Sequence, residues 1–401
     1  LDSVIRKALQ EEESPIIVHV RTRKGYGYRP AEADKVGFHG AALPPMPDQS
    51  TAAAPINGAN PPDGDAAPPA EERKKRKVPN YTAVMSDELA RIAEEDERVV
   101  AITAGMPTGT GVAAFGERFP HRTYDVGIAE QHAMTMAAGQ ALAGQRPFIA
   151  LYSTFLQRAF DQVVHDVCQN DASVVIGIDR AGLVGEDGTS HQGMFMLSAL
   201  RQLPNLVLAA PRDEQQLRSL LRTAFAQDHP FALQYPRDAG FGLDPVEPEL
   251  IEVGRGEVLR EGSDIVIIGL GPIIDRGLSA AAELEAAGWS VGVVDARFAR
   301  PIDRGLILEQ ARKASLLVTL EESVLPGGFG AAVLEVLADA DDAAALAPLK
   351  RIGLPDGKFV DHGSVSDLRR LVRIDAPGIK DQIDEASTPT KLETRSATPS
   401  S

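Results

Sequence analysis

The chain has 401 residues, 43% of them hydrophobic, enough apolar material for two to three domains with proper cores. Its formal charge of -16 argues against a general affinity for nucleic acid or an anionic membrane. One cysteine, Cys168, excludes an internal disulfide framework and a cysteine-rich metal site, and fits the reducing cytoplasm.

No apolar run approaches the length of a membrane span, and no signal peptide is expected from the opening residues. The chain opens Leu-Asp-Ser-Val-Ile-Arg, which reads as the inside of a helix, so it is expected to begin partway through a larger protein. Leu1 to Gln10 looks like the end of an amphipathic helix, and Pro15 to Arg21 like a compact apolar strand. A Gly-punctuated loop with Tyr26 and Tyr28 follows, then Val36-Gly-Phe-His39-Gly. Taken alone, Tyr28 and His39 read as loop packing. Residues 1–40 need a partner layer to make a domain.

Residues 41–79 are rich in Pro, Ala, Gly and Asp without a period, the composition of a linker. It ends in Glu71-Glu-Arg-Lys-Lys-Arg-Lys-Val78. A nuclear import signal or an anion-binding patch is conceivable there, but a solvated charge run suits an acidic chain better.

Residues 80–245 alternate helical patterns (83–95, 129–143, 158–168, 214–225) with short apolar strands (99–103, 147–151, 173–178, 206–209). That alternation predicts an α/β fold with a parallel sheet between helices. Tyr124 to Val126 adds a short strand that turns at Gly127 into a helix with Glu130 in its first turn. Glu130 therefore sits where open α/β sheets place their chemistry, although an isolated Glu there can simply complement the helix dipole.

Residues 246–376 repeat the style at smaller scale, with strands at 264–269, 291–295, 315–319 and 349–353. Gly269-Leu-Gly-Pro272 is a poor dinucleotide fingerprint, lacking the third glycine, so this domain reads as an assembly module. Residues 377–401 are expected to be a disordered tail.

The residues that carry chemistry are Glu130, Tyr152, Phe155, Arg158, Arg180, Asp187, His191 and Arg237. Arginines on loops at one sheet end suit a phosphate or carboxylate, which guanidinium binds through paired hydrogen bonds. Two aromatics at the end of a strand offer a stacking surface for a planar ring. His191 and Asp187 on one Gly-rich loop can move protons, and Glu130 can hold one against a ring nitrogen. A planar heteroaromatic cofactor acting on a small anionic substrate fits this set, provided that the residues converge in space.

At these residues the chain resembles a known family. Ile128-Ala-Glu-Gln-His132, Tyr152-Ser-Thr-Phe-Leu-Gln-Arg-Ala159, Ile178-Asp-Arg-Ala-Gly182, Gly185-Glu-Asp-Gly-Thr-Ser-His-Gln192 and Tyr235-Pro-Arg237 are similar to the 1-deoxy-D-xylulose-5-phosphate synthases, members of the transketolase-like thiamine diphosphate enzymes. The Gly-Glu-Asp-Gly run is shared with transketolases, whereas the Tyr-Ser-Thr-Phe run is more specific to the synthases.

The resemblance implies a pyrimidine-binding parallel-sheet domain and a smaller transketolase C-terminal-like domain in a homodimer. It implies a transferase that condenses pyruvate with glyceraldehyde 3-phosphate, releasing CO2, for isoprenoid, thiamine and pyridoxal precursors. Thiamine diphosphate and Mg2+ are the implied cofactors. Glu130 matches the cofactor-activating glutamate, Phe155 an aromatic beside the aminopyrimidine, Tyr28 a cofactor-contacting tyrosine and His39 an active-site histidine. Tyr152, Arg158 and Arg237 match residues near the aldehyde phosphate. Arg180, Asp187 and His191 match contacts to the pyruvate-derived adduct and acceptor.

The family's Gly-Asp-Gly motif and later Asn, which hold Mg2+ and the diphosphate, have no match here, since Asp63-Gly-Asp65 lies in the linker. Residues 1–40 then resemble the end of a truncated diphosphate-binding domain, and the chain alone is expected to be inactive, with a separate N-terminal half as possible partner. Other readings are half of another thiamine enzyme, such as a transketolase subunit or a 2-oxo-acid dehydrogenase β subunit, or a non-catalytic interaction protein.

Overall fold

The computed structural model describes residues 2–10, 16–23, 26–33 and 78–387. It divides into two units, Leu1–Lys74 and Lys75–Ser401. In the first, helices run over Asp2–Ala8 and Arg29–Ala33. The expected strand at 15–21 does not form: residues 16–23 have no regular structure, and Ile17 is 92% exposed. A strand is defined by a pairing edge, and no described residue supplies one. His39 and the linker lie outside the described residues, apart from 78 and 79.

The second unit is α/β. Its first sheet contains β1 (Val99–Thr103), β2 (Thr123–Asp125), β3 (Arg146–Tyr152), β4 (Val175–Asp179), β5 (Val207–Ala209) and β6 (Phe231–Tyr235). The second contains β7 (Glu257–Arg260), β8 (Ile265–Gly269), β9 (Val291–Asp295), β11 (Leu316–Val324) and β12 (Leu349–Leu354). Between β9 and β11 the chain sends β10 (Phe298–Arg300) back to the edge of the first sheet. The spatial orders are β10-β5-β6-β4-β3-β1-β2 and β12-β11-β8-β9-β7.

Every pairing is parallel except those of β10 with β5 and β7 with β9. The central strands are apolar throughout because helices cover both faces. Successive side chains alternate between two cores: Ile102, Ile149 and Ile176 enter one, and Ala101, Phe148, Ala150 and Val175 the other.

Other stretches also differ from expectation. Residues 153–168 form helix from Ser153 onward, broken into short turns that end in a π-helical stretch at Val163–Cys168. Of the tail expected to be disordered, residues 377–387 belong instead to the helix Ala376–Ser387, where Ile379 and Ile383, four residues apart, share the core of the second sheet, and residues 388–401 lie outside the described residues.

Candidate active site

Parallel pairing brings the carboxyl ends of β3, β4 and β6 together in register, with Tyr152 opposite Asp179 and Asp179 opposite Tyr235. The chemistry-bearing side chains leave from those ends and from the turns that follow, where open α/β sheets bind ligands.

Glu130 begins the helix Glu130–Leu142 and is 2% exposed. Asp125, at the end of β2, prepares that turn: its Oδ1 accepts from the backbone N–H groups of Gly105 and Gly127. Arg158 Nη1 donates to Glu130 Oε1 at 2.8 Å, while Oε2 takes no hydrogen bond from any described residue. The same guanidinium lies over the Phe155 ring, 5.3 Å from its centroid.

Phe155 stacks on Tyr152 at 5.7 Å and meets the His191 ring edge-on at 5.4 Å. His191 is held from behind. Ser190 Oγ lies 3.0 Å from its Nδ1, and Thr154 Oγ1 donates to the Ser190 carbonyl at 2.8 Å.

Arg180 lies over the other side of the pair, its guanidinium 3.7 Å from the Tyr152 centroid. It adopts φ +61, a left-handed conformation rare for a side chain of this size. Two contacts hold it there: Nη1 donates to the Asp179 carboxylate at 2.9 Å and to the Gly109 carbonyl at 2.7 Å. A Cβ at Gly109 would lie 1.9 Å from Tyr152 Oη, so any larger residue there requires the ring to shift.

Asp179 is fully buried and bonded by Thr82 Oγ1 at 2.8 Å; burial pushes its carboxyl up to about 6 against the pull of Arg180. Burial likewise pushes the Tyr152 phenol up to about 12, so it remains a hydrogen-bond donor. Arg237 Nη1 donates to Asp187 Oδ2 at 2.9 Å, and Arg180 Nε comes within 4.0 Å of the same oxygen. Arg180 Nε is buried and has no hydrogen-bond partner among the described residues. Arg180 and Arg237 form one wall of a cleft of about 660 Å³.

Eight of the ten residues expected from sequence thus form one connected set: Glu130, Arg158, Phe155, Tyr152, Arg180, Asp187 and Arg237, with His191 branching from Phe155. Tyr28 belongs to the first unit and is 58% exposed; His39 is outside the described residues. Sequence reasoning missed Asp179, although it quoted the Ile178-Asp-Arg run, and missed Gly109 within a Gly-rich loop. Thr82 carried no signal, being 97 residues from its partner. Among the described residues, no group of three or more His, Cys, Asp or Glu could hold a metal ion. None of their helices is long and apolar enough to cross a membrane.

Comparison with known proteins agrees with this architecture. Residues 77–240 match the family model "Transketolase, pyrimidine binding domain" and residues 254–379 match "Transketolase, C-terminal domain". The chain is 47% identical over 369 residues to 1-deoxy-D-xylulose-5-phosphate synthase 1 of Geobacter sulfurreducens, covering 92% of this chain and 54% of that protein. It is 48% identical over 369 residues to the 1-deoxy-D-xylulose-5-phosphate synthase of Thermomicrobium roseum, with the same coverage. The chain spans about half the length of the curated relatives it matches. A solved structure described as "Split gene transketolase, inactive beta4 tetramer" is similar with TM-score 0.69 and 31% identity, over 77% of this chain and 99% of that one. The chain belongs to the transketolase family, whose pyrimidine-binding and C-terminal domains it carries, and within that family it is similar to the 1-deoxy-D-xylulose-5-phosphate synthases.

Proposed function

We propose that this chain is the pyrimidine-side half of a thiamine diphosphate-dependent 1-deoxy-D-xylulose-5-phosphate synthase, joining pyruvate to glyceraldehyde 3-phosphate with loss of CO2. One observation carries the reading: a buried carboxylate and a set of arginines are joined through a stacked aromatic pair at one sheet end. The identity of 47–48% to synthases over 92% of the chain supports it.

In this reading Glu130 offers Oε2 to the ring nitrogen of the pyrimidine and holds or releases a proton there, while Phe155 flanks the ring. When bound, thiamine diphosphate supplies the electron sink for decarboxylating a 2-oxo acid. Arg237 binds the aldehyde phosphate, exchanging its half-exposed contact with Asp187 for the ligand. Arg180, whose Nε takes no partner among the described residues, and Tyr152, with its phenol protonated, add donors for anionic oxygen. His191, fixed by Ser190, moves protons on the reacting carbonyl and hydroxyl oxygens. The resemblance gives Tyr28 a cofactor contact and His39 a role among the active-site residues. Mg2+ and the diphosphate are held by a diphosphate-binding domain outside these 401 residues.

The chain alone is then a cytoplasmic subunit or portion without turnover, acting as a dimer with its complementary half. The similarity to an inactive assembly of split-transketolase subunits supports this expectation. It also favours a second reading, a transketolase subunit that takes a ketose phosphate as donor. The test combines this chain with the part of the Geobacter sulfurreducens relative that it does not span, and supplies either donor with glyceraldehyde 3-phosphate. Product formation from pyruvate is expected; turnover of the ketose phosphate alone would establish the second reading instead.

A further inference from the structure

The smaller domain touches the first sheet's loops at three points, from the helix Val365–Leu371, from β11 and from the segment before that helix, each within three residues of a site residue. Arg369, on the helix Val365–Leu371, is 6% exposed, and its Nη2 donates to Asp238 Oδ2 at 2.7 Å, next to Arg237. Its Nε donates to Glu322 Oε2 at 2.8 Å, and Nη2 to Oε1 at 3.1 Å. Glu322 Oε1 in turn accepts the backbone N–H of Leu183 at 3.0 Å, three residues past Arg180. Gln192, beside His191, donates from Nε2 to the Asp361 carbonyl at 3.0 Å and accepts the Val184 N–H at 2.8 Å.

Arg369 and Glu322 are well desolvated, with side chains 7% and 14% exposed, so their pair is held more firmly than a surface pair, while Asp238 keeps 34% of its side chain in solvent. Arg237 has no comparable restraint of its own: its side chain is 42% exposed and its one partner among the described residues is Asp187. A guanidinium on a loose strand end loses orientation, and a small misplacement weakens binding of an anion steeply.

We infer that Arg369, acting through Asp238 and Glu322, is a positioning residue for the anion site, so that the smaller domain sets substrate affinity as well as assembly. The inference rests on the proposed function for what the site binds, but not for the positioning itself. Asp238→Ala removes the side-chain link to the strand end of Arg237, leaves its backbone bond from the Tyr81 N–H to the residue 238 carbonyl, and leaves the Arg369–Glu322 pair intact. Arg369→Lys, a second variant, keeps the charge and removes the forked geometry.

Two readouts separate the claims. The Arg237 side-chain Nε–H signal of the full chain, assigned by its loss in Arg237→Lys, reports positioning without turnover. In both variants it is expected to broaden and exchange faster, while the distant Arg222 signal stays unchanged; an unaltered Arg237 signal in Asp238→Ala overturns the inference. In the enzyme completed with the complementary half, the KM for glyceraldehyde 3-phosphate should rise about tenfold, with kcat and the KM for pyruvate within about twofold. An equal loss in kcat at unchanged KM overturns the inference. Wild type without any turnover would overturn the proposed function, and the Arg237 signal would still decide the positioning.

Discussion

Arg158 Nη1 lies 2.8 Å from Glu130 Oε1, joining the first helical turns after β3 to the first residue of the helix after β2. One residue expected at the aldehyde phosphate therefore rests on the residue expected at the cofactor, and the two ends of the site are mechanically linked. The carboxylate is buried and the guanidinium is half-exposed, so Arg158 is the partner that can turn toward a ligand.

Replacing Arg158 by Met should leave Glu130 without its cation and weaken phosphate binding. Because the guanidinium is half in water, the stability cost is about 1 kcal/mol. Urea unfolding of the chain measures it, and in the completed enzyme the KM for glyceraldehyde 3-phosphate should rise. An unchanged KM would remove Arg158 from the substrate site.

Gly109→Ala would place a methyl against Tyr152 Oη and push the ring out from under Arg180. Overpacking of this kind costs about 1–3 kcal/mol. A lowered unfolding midpoint together with weaker phosphate binding is expected. Full stability would mean that the ring has room to move.

Tyr152→Phe keeps the stack on Phe155 and removes only the hydroxyl. If that hydroxyl donates to the substrate anion, the KM for glyceraldehyde 3-phosphate rises about tenfold with the fold intact. Steady-state kinetics on the completed enzyme would show it, and wild-type kinetics would assign Tyr152 a packing role alone.

A pH effect comes from the smaller domain. Burial pushes the Glu321 carboxyl up to about 7, against hydrogen bonds from Ser323 Oγ and the N–H groups of Phe329 and Gly330. Folded Glu321 thus binds its proton more tightly than unfolded Glu321. Its contribution to stability is complete below its ordinary value of 4.5 and is lost as pH rises toward 7. The loss is at most about 3 kcal/mol. The stability gap between wild type and Glu321→Gln should narrow between pH 5 and pH 7.5, as measured by denaturant unfolding. A gap independent of pH would contradict this.

Much of the fold was legible because buried parallel strands are continuously apolar: Val99–Thr103 and Val291–Asp295 form as the sequence predicts. What was missed has a physical cause. Glu257–Arg260 is half-exposed and charged at both ends, and Phe298–Arg300 is a strand only because it completes an edge far back in the chain. The apolar run after Pro15 was misread for the converse reason, lacking a pairing edge. In the site, residue types on loops past strand ends pointed to the arginines and aromatics. Pairings such as Thr82 with Asp179 and Arg158 with Glu130 depend on tertiary approach and leave no local pattern. The left-handed Arg180 was equally invisible, because its conformation is imposed by Asp179 and Gly109.

The most direct test of the central claim is product formation from pyruvate and glyceraldehyde 3-phosphate by this chain, combined with the part of the Geobacter sulfurreducens relative that it does not span and supplied with thiamine diphosphate and Mg2+. Wild type and Glu130→Gln should be compared, each checked for an intact fold. The account predicts 1-deoxy-D-xylulose 5-phosphate from the wild type and a loss of at least about a hundredfold with Glu130→Gln. Equal turnover by the two would contradict it.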